Sequence, residues 1–433
     1  MPYLLNLVYA LLLLAAAPWL AYQAIRKGKY REGFRAKFWG LVPERTGQEK
    51  CLWLHAVSVG EVNLLAPLLT AVAQRHPDWQ CWISTTTMTG MAVAKKKYPH
   101  LTAFYCPLDF SWAARRAMRR VRPDVLVLAE LELWPNLVLA AKEAGARVAV
   151  INGRLSEHSY RGYRRIRPLV GRLLRQIDLI AAQDPTYAQR FRDLGASADA
   201  VQITGSMKYD GAQTDRGNPA TQRLARLAGF GPEDVVFLAG STQEPEEALA
   251  LASYRELSAR WAQLRLVLVP RHPERFDSVA RLLDQSGLAW QRRTKLDEGC
   301  DPAARVLLVD AVGELGAWWG TAQIAFVGGS LSNRGGQNMI EPAAYGAAVS
   351  FGPSTRNFRD IVGSMLRHEA ALVVGNGDEL TRFVQRCLEE PKFAVELAQR
   401  AQRLVADQLG ATDRTLALLE TLVEDAANRR MAA

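Results

Sequence analysis

Acidic residues sit where an apolar run gives way to a helical pattern at several points in this 433-residue chain. Glu61 follows the run Cys51–Ala56 and Gly60, at the start of a helical stretch through Ala73. A carboxylate there either complements the positive end of the helix or serves as a general base. Glu130 and Glu132 close the run Val125–Ala129, and two acids directly past a buried strand are costly to bury without partners. The hydroxyl cluster Thr85–Gly90 could hold a phosphate or merely cap a helix. Arg271 ends the run 264–269 and has the chemistry of a phosphate ligand. Around the apolar stretch 323–327 the chain is dense in glycine, with Gly328-Gly329-Ser330 and then Gly335-Gly336-Gln337-Asn338 ahead of Glu341. Backbone without side chains, just past a strand, can point N–H groups at an anion. The expectation is therefore an anion at these glycine loops, with Glu341 accepting from a ribose hydroxyl. The spacing is not G-x-G-x-x-G.

Positioning such groups requires strands that end near one another. The short apolar runs CLWLHA, QCWISTT, VLVLAE and RVAVIN alternate with helical patterns such as 111–121 and 135–144. A second alternation runs through DVVFLAG, LRLVLV, VLLVD, QIAFV and AAVSF, and helical patterns from 377 to 427 finish the chain. Strands separated by helices of this length imply parallel βαβ units with both sheet faces covered, and function at the carboxyl ends of the strands. Ser241-Thr242-Gln243-Glu244 reads as a cap ahead of a helix through Leu257. The Gly- and Asp-containing stretch after Gly205 is the linker, giving two Rossmann-like domains at 26–212 and 213–433.

The charge of +10 points to an acidic partner: nucleic acid, anionic lipid or a phosphorylated substrate. Five cysteines without a C-x-x-C and six histidines without an H-x-x-x-H pair argue against a disulfide framework and a zinc site. Residues 2–25 carry no charge and have the length of a membrane span, with Tyr3, Trp19 and Tyr22 suited to its interfaces. Arg26, Lys27, Lys29, Arg31, Arg35 and Lys37 follow and place what lies behind them in the cytoplasm. The expectation is a retained N-terminal anchor over 1–25, spanning or lying in the interface. The arginines 161, 164, 165, 167, 172 and 175 form a basic face that would suit lipid phosphates.

The clusters HAVSVGEV (55–62), TTTMTG (85–90), PLD (107–109), ELELWPN (130–136), NGRLS (152–156), GSMKYD (205–210), GST (240–242), PRHPERF (270–276), GEL (313–315) and GGSLSNRGGQNMIEPAA (328–344) occur in one order. In that order the chain resembles the 3-deoxy-D-manno-octulosonic acid (Kdo) transferases over residues 25–420. The resemblance implies an α/β GT-B fold, with the acceptor on the N-terminal domain and the donor on the C-terminal one. It implies transfer of Kdo from CMP-Kdo to a lipid A precursor, a tetraacyldisaccharide 1,4'-bisphosphate, at the cytoplasmic face of an anionic inner membrane. Carried over motif by motif, Glu61 is the base, and Glu130 and Lys208 assist at the transition state. Pro270, Arg271, Val312, Gly313, Glu314, Asn338, Met339, Ile340 and Glu341 contact CMP, and Ser58, Gly60, Thr86 and Arg154 lie on the acceptor side. Gln337 replaces the family's usual His, and Val312 its usual Met.

No D-x-D motif occurs, so transfer without a metal ion and without a cofactor is expected, with inversion. Two other readings fit less of the sequence. One is a GT-B enzyme using another nucleotide sugar or another membrane lipid. The other is a basic membrane-bound module binding nucleic acid, which leaves Glu61 and Glu341 without a role.

Overall fold

A computed structural model describes residues 2–27 and 32–432. The chain divides into two compact units, residues 1–210 with 408–433, and residues 211–407.

The first unit is built on a seven-stranded sheet: β1 (Cys51–His55), β2 (Gln80–Thr85), β3 (Thr102–Tyr105), β4 (Val125–Ala129), β5 (Arg147–Gly153), β6 (Leu179–Ala182) and β7 (Val201–Ile203). Their spatial order is β3-β2-β1-β4-β5-β6-β7, all parallel. The near-continuous apolar runs follow from burial on both faces. Cys51 and Trp53 enter one core cluster, Leu52 and Leu54 the other, as the two-residue strand period requires. Each large side chain so buried contributes about 1.5–3 kcal/mol.

The second unit repeats the plan with β8 (Val235–Thr242), β9 (Leu264–Pro270), β10 (Trp290–Arg292), β11 (Val306–Leu308), β12 (Ile324–Val327), β13 (Ala348–Phe351) and β14 (Leu372–Val373). The order is β10-β11-β9-β8-β12-β13-β14, again parallel. Phe237, Leu266, Leu268, Phe326 and Leu380 lie in its core.

The C-terminal assignment expected from sequence is corrected: the domain does not run uninterrupted from 213 to 433. The helix Ala411–Ala432 carries Leu416, Leu419, Leu422 and Val423 at helical spacing into the same core as Leu52, Leu54 and Leu65 of the first unit. Asp210 accepts from the N–H groups of Gly410 and Thr412, Arg414 Nε donates to Thr204 O (2.8 Å), and Arg75 pairs with Asp413.

The helix Pro2–Lys27 is fixed to the first unit by polar contacts. Buried Asn6 donates to Ser111 Oγ (2.8 Å) and accepts from the Ser111 N–H (3.0 Å) and from Asn136 Nδ2 (3.3 Å), while Tyr9 OH donates to Asp109 (3.0 Å). Tyr3, Leu7, Val8, Leu11, Leu12, Leu14, Trp19, Tyr22 and Ile25 are exposed and cover about half of the helix circumference, a broad apolar face. Among the described residues no helix is long and apolar enough to cross a membrane. Lys29 and Arg31 of the expected basic flank lie outside the described residues.

Candidate active site

At the carboxyl edge of the first sheet, Ser58 caps the helix Val59–Arg75 and accepts from the Glu61 N–H. The Glu61 carboxylate returns the interaction. It accepts from Ser58 Oγ (2.7 Å) and from the Val57 N–H (2.8 Å), a closed capping box. Burial pushes its proton affinity above the ordinary carboxylate range, the bonds from Ser58 and Val57 pull it back, and the Glu130 charge raises it again. Glu61 thus caps its helix and has a raised proton affinity.

Glu130 leaves β4 with a positive φ of 56°, in the left-handed region that a non-glycine residue rarely occupies. That turn aims its carboxylate at two cations, Lys208 Nζ at 2.8 Å and Arg154 Nε at 3.0 Å. Glu132 accepts from Trp134 Nε1 (3.1 Å). Burial first, then the Glu61 charge, lifts its carboxyl to about 7, with a bond from Trp134 opposing and the Glu130 charge adding. Three carboxylates and two cations therefore share one site. The sequence pointed to Glu130 and Glu132 as a pair, but Glu132 was not singled out among the catalytic groups.

The hydroxyl cluster after β2 serves local structure. Thr85 Oγ1 and Thr87 Oγ1 both donate to Val57 O (3.0 and 2.9 Å), and Thr87 caps the helix Met88–Lys97. Thr86 is left half-buried, and Gly60 is exposed. Asp109 is likewise a helix cap, accepting from the Asn136 and Leu137 N–H groups (3.1 and 2.9 Å); burial raises its carboxyl to about 6.

In the second unit Arg271 follows β9, exposed, its backbone N–H tied to Thr242 O (3.0 Å). Glu341, in the first turn of the helix Ile340–Ala344, accepts from Asn338 Nδ2 (2.9 Å). Burial raises its proton affinity, and the Asn338 bond, the Arg271 charge and a bond from Trp319 oppose this. Beside Glu341 a cavity of about 560 Å³ is lined in part by Gln213, Asn218, Gly316, Ala317 and Tyr345. Met339 and Ile340 are buried. Val312 is 78 % exposed and Gly313 has φ of 90°. The Glu314 carboxylate is taken by a two-pronged bond from Arg293 (2.8 and 2.9 Å) and one from Trp318 (3.2 Å).

Two expectations are corrected here. The N–H groups past β12 do not wait for a ligand. Those of Gly329 (2.7 Å), Ser330 (2.9 Å) and Leu331 (2.9 Å) donate to the carboxylate of fully buried Glu246, as does that of Gln243 (2.9 Å). A Cβ at Gly328 would fall 2.6 Å from Thr242 Cα, 2.7 Å from Glu246 Oε2 and 2.8 Å from Ser241 O, which explains the glycine. Nor do residues 241–244 form a cap. The helix starts at Glu246 without a side-chain cap bond, because Pro245 holds the capping position. Among the described residues no group of three or more His, Cys, Asp and Glu is placed to hold a metal ion.

Two parallel doubly wound units, with polar groups gathered at the strand ends of each, make up the GT-B fold. A UDP-GlcNAc 2-epimerase from Neisseria meningitidis bound to UDP-GlcNAc shares the fold at TM-score 0.55 and 13 % identity, covering 86 % of this chain and 100 % of that one. Residues 32–211 match the family described as 3-Deoxy-D-manno-octulosonic-acid transferase (kdotransferase). The 3-deoxy-D-manno-octulosonic acid transferase of Haemophilus influenzae is 31 % identical over 423 residues, 96 % of this chain and 98 % of that one. That of Bordetella pertussis is 33 % identical, over 95 % and 98 %. The chain belongs to the Kdo transferase family and is an enzyme of that class.

Proposed function

We propose that the enzyme takes Kdo from CMP-Kdo and attaches it to a hydroxyl of a bis-phosphorylated lipid A precursor, with inversion. The observation that carries this reading is the convergence of Glu61, Glu130 and Glu132 with Lys208 and Arg154 at the edge of the first sheet. Glu61, ionised, accepts the acceptor's proton as its oxygen bonds to the anomeric carbon and the bond from that carbon to the phosphate oxygen breaks. CMP leaves with the electron pair. A base with proton affinity raised above that of a free carboxylate is better matched to this work near neutrality. Lys208 supplies positive charge where negative charge develops, and Glu130 holds Lys208 in place. We assign Arg271, Pro270 and the backbone of Val312–Glu314 and Asn338–Glu341 to CMP, and Ser58, Gly60, Thr86 and Arg154 to the acceptor. With cationic side chains in these roles, transfer needs neither metal nor cofactor.

The same reading places the enzyme at the cytoplasmic face of the inner membrane. The broad exposed apolar face that includes Tyr3, Leu7, Leu12, Trp19 and Ile25 suits a helix lying in the lipid interface. Asn6 and Tyr9, bonded to the body of the first unit, favour that placement over a span.

The test is transfer of radiolabelled Kdo from CMP-Kdo to the lipid A precursor, with chromatographic counting of the sugars added. Wild type gives product, and Glu61→Gln, which keeps the shape of the capping box, loses on the order of 10²–10⁴ in kcat. Absence of product from wild type, or undiminished turnover by the variant, overturns the reading. Turnover with a UDP-sugar and none with CMP-Kdo favours a different donor.

A further inference from the structure

We infer that Glu246 is the positioning residue of the nucleotide loop, standing from inside the protein where an anionic ligand would otherwise sit. Its carboxylate is completely buried and receives four backbone N–H groups, one from Gln243 past β8 and three from Gly329, Ser330 and Leu331 past β12. Ionised acceptors bound by several N–H donors make the stronger class of hydrogen bond. The two strands are neighbours in the sheet, and Glu246 ties their ends together.

From this tie the support passes outward. Gly329 O accepts from the Gly336 N–H (2.8 Å), and Ser330 O accepts from the Ser354 N–H (2.9 Å). Ser330 Oγ accepts from the Gly352 N–H (2.8 Å), and Ser354 Oγ from the Gly335 N–H (3.2 Å). Gly335 and Gly336, with φ of 94° and 77°, then turn the chain into Asn338 and Glu341. Glu246 touches none of the groups assigned to CMP, but the loop leading into four of them, Asn338–Glu341, hangs from its carboxylate. The same occupancy leaves the N–H groups of Gly329, Ser330 and Leu331 unavailable to the phosphate of the donor.

This inference rests on the donor-site reading above, and the experiment separates the two. CMP binding by titration calorimetry and steady-state kinetics with CMP-Kdo are measured on the full chain of wild type, Glu246→Gln and Glu246→Asp. In the Gln variant an amide N–H₂ replaces one acceptor oxygen and opposes two N–H donors. The expected result is a KM for CMP-Kdo and a Kd for CMP raised tenfold or more, with kcat within threefold and the KM for the acceptor unchanged. The Asp variant keeps the charge but is one methylene short, so it shows the same pattern at smaller size. A merely structural role would lower the amount of active enzyme, hence kcat and Tm, and leave KM alone; that result overturns the inference. If Glu246→Gln does not fold, an unchanged KM in Glu246→Asp overturns it equally. Wild type that binds no CMP defeats the donor-site reading instead.

Discussion

Glu61 follows β1 and Glu246 follows β8, the first strands of their sheets in chain order, and each carboxylate turns back to accept an N–H at its own strand end. The partners are Val57 (2.8 Å) and Gln243 (2.9 Å). Beyond that the surroundings diverge. Glu246 is enclosed by three more N–H groups and reaches no solvent. Glu61 has one hydroxyl besides Val57, stays partly exposed, and meets the like charge of Glu130. The same local geometry thus yields a group consumed by structure in one unit and a group still able to take a proton in the other. What separates them is the supply of donors: the loop after β12 turns three N–H groups to Glu246, whereas β4, the corresponding neighbour of β1, is followed by Glu130 and Glu132.

The largest effect that would break this contrast belongs to Lys208. If the first unit is the reactive one, its cations act on charge that develops in the transition state. Lys208→Ala is expected to lower kcat with CMP-Kdo by on the order of 10²–10³, with little change in Tm, since Lys208 is near the surface. A fall in Tm with kcat intact would make Lys208 a counter-ion of Glu130 and nothing more.

Arg271→Ala probes the other side. A cation serving one phosphate is worth roughly 1.5–3 kcal/mol as a charge-assisted bond. The KM for CMP-Kdo should therefore rise roughly 10–150-fold by that range, with kcat changed much less. An equal loss in kcat would mean that the second unit shares in the chemistry and would blur the contrast.

How far such a contrast was open to the sequence depends on distance along the chain. Glu61 was legible because its partners Val57 and Ser58 lie within four residues and its strand is a pure apolar run. The role of Glu246 was not, because three of its four N–H donors lie 83–85 residues away. No local pattern marks such a carboxylate as an internal anion, and the glycines it fills looked like a ligand loop for the same reason. The long central strands were visible as continuous apolar runs. Edge and outer strands such as Thr102–Tyr105, Leu179–Ala182, Trp290–Arg292 and Leu372–Val373 are two to four residues long, too short to show a period. The return of the C-terminal helix to the first unit was hidden because an apolar helical stripe does not name the core it enters.

Glu132 sharpens the comparison most finely, through pH. Burial and the Glu61 charge raise its carboxyl to about 7 from the ordinary 4.5. Between those values the folded protein holds a proton that the unfolded chain has already released. Folding stability therefore falls as pH rises through this window and levels off above it. Glu132→Gln has no such proton. It should match wild type in Tm near pH 4 and exceed it at pH 8 by several degrees, since about 2–4 °C corresponds to each kcal/mol in a unit of this size and solvent screens a partly exposed carboxyl. The acidic limb of the kcat/KM profile should stay in place in the variant, because the Glu61 charge that raises Glu132 is already present while Glu132 still carries its proton. Thermal melts and pH–rate profiles from pH 4 to 8 measure both. A Tm difference that does not change with pH would remove Glu132 from the cluster and leave Glu61 with Glu130 as its only acidic neighbour.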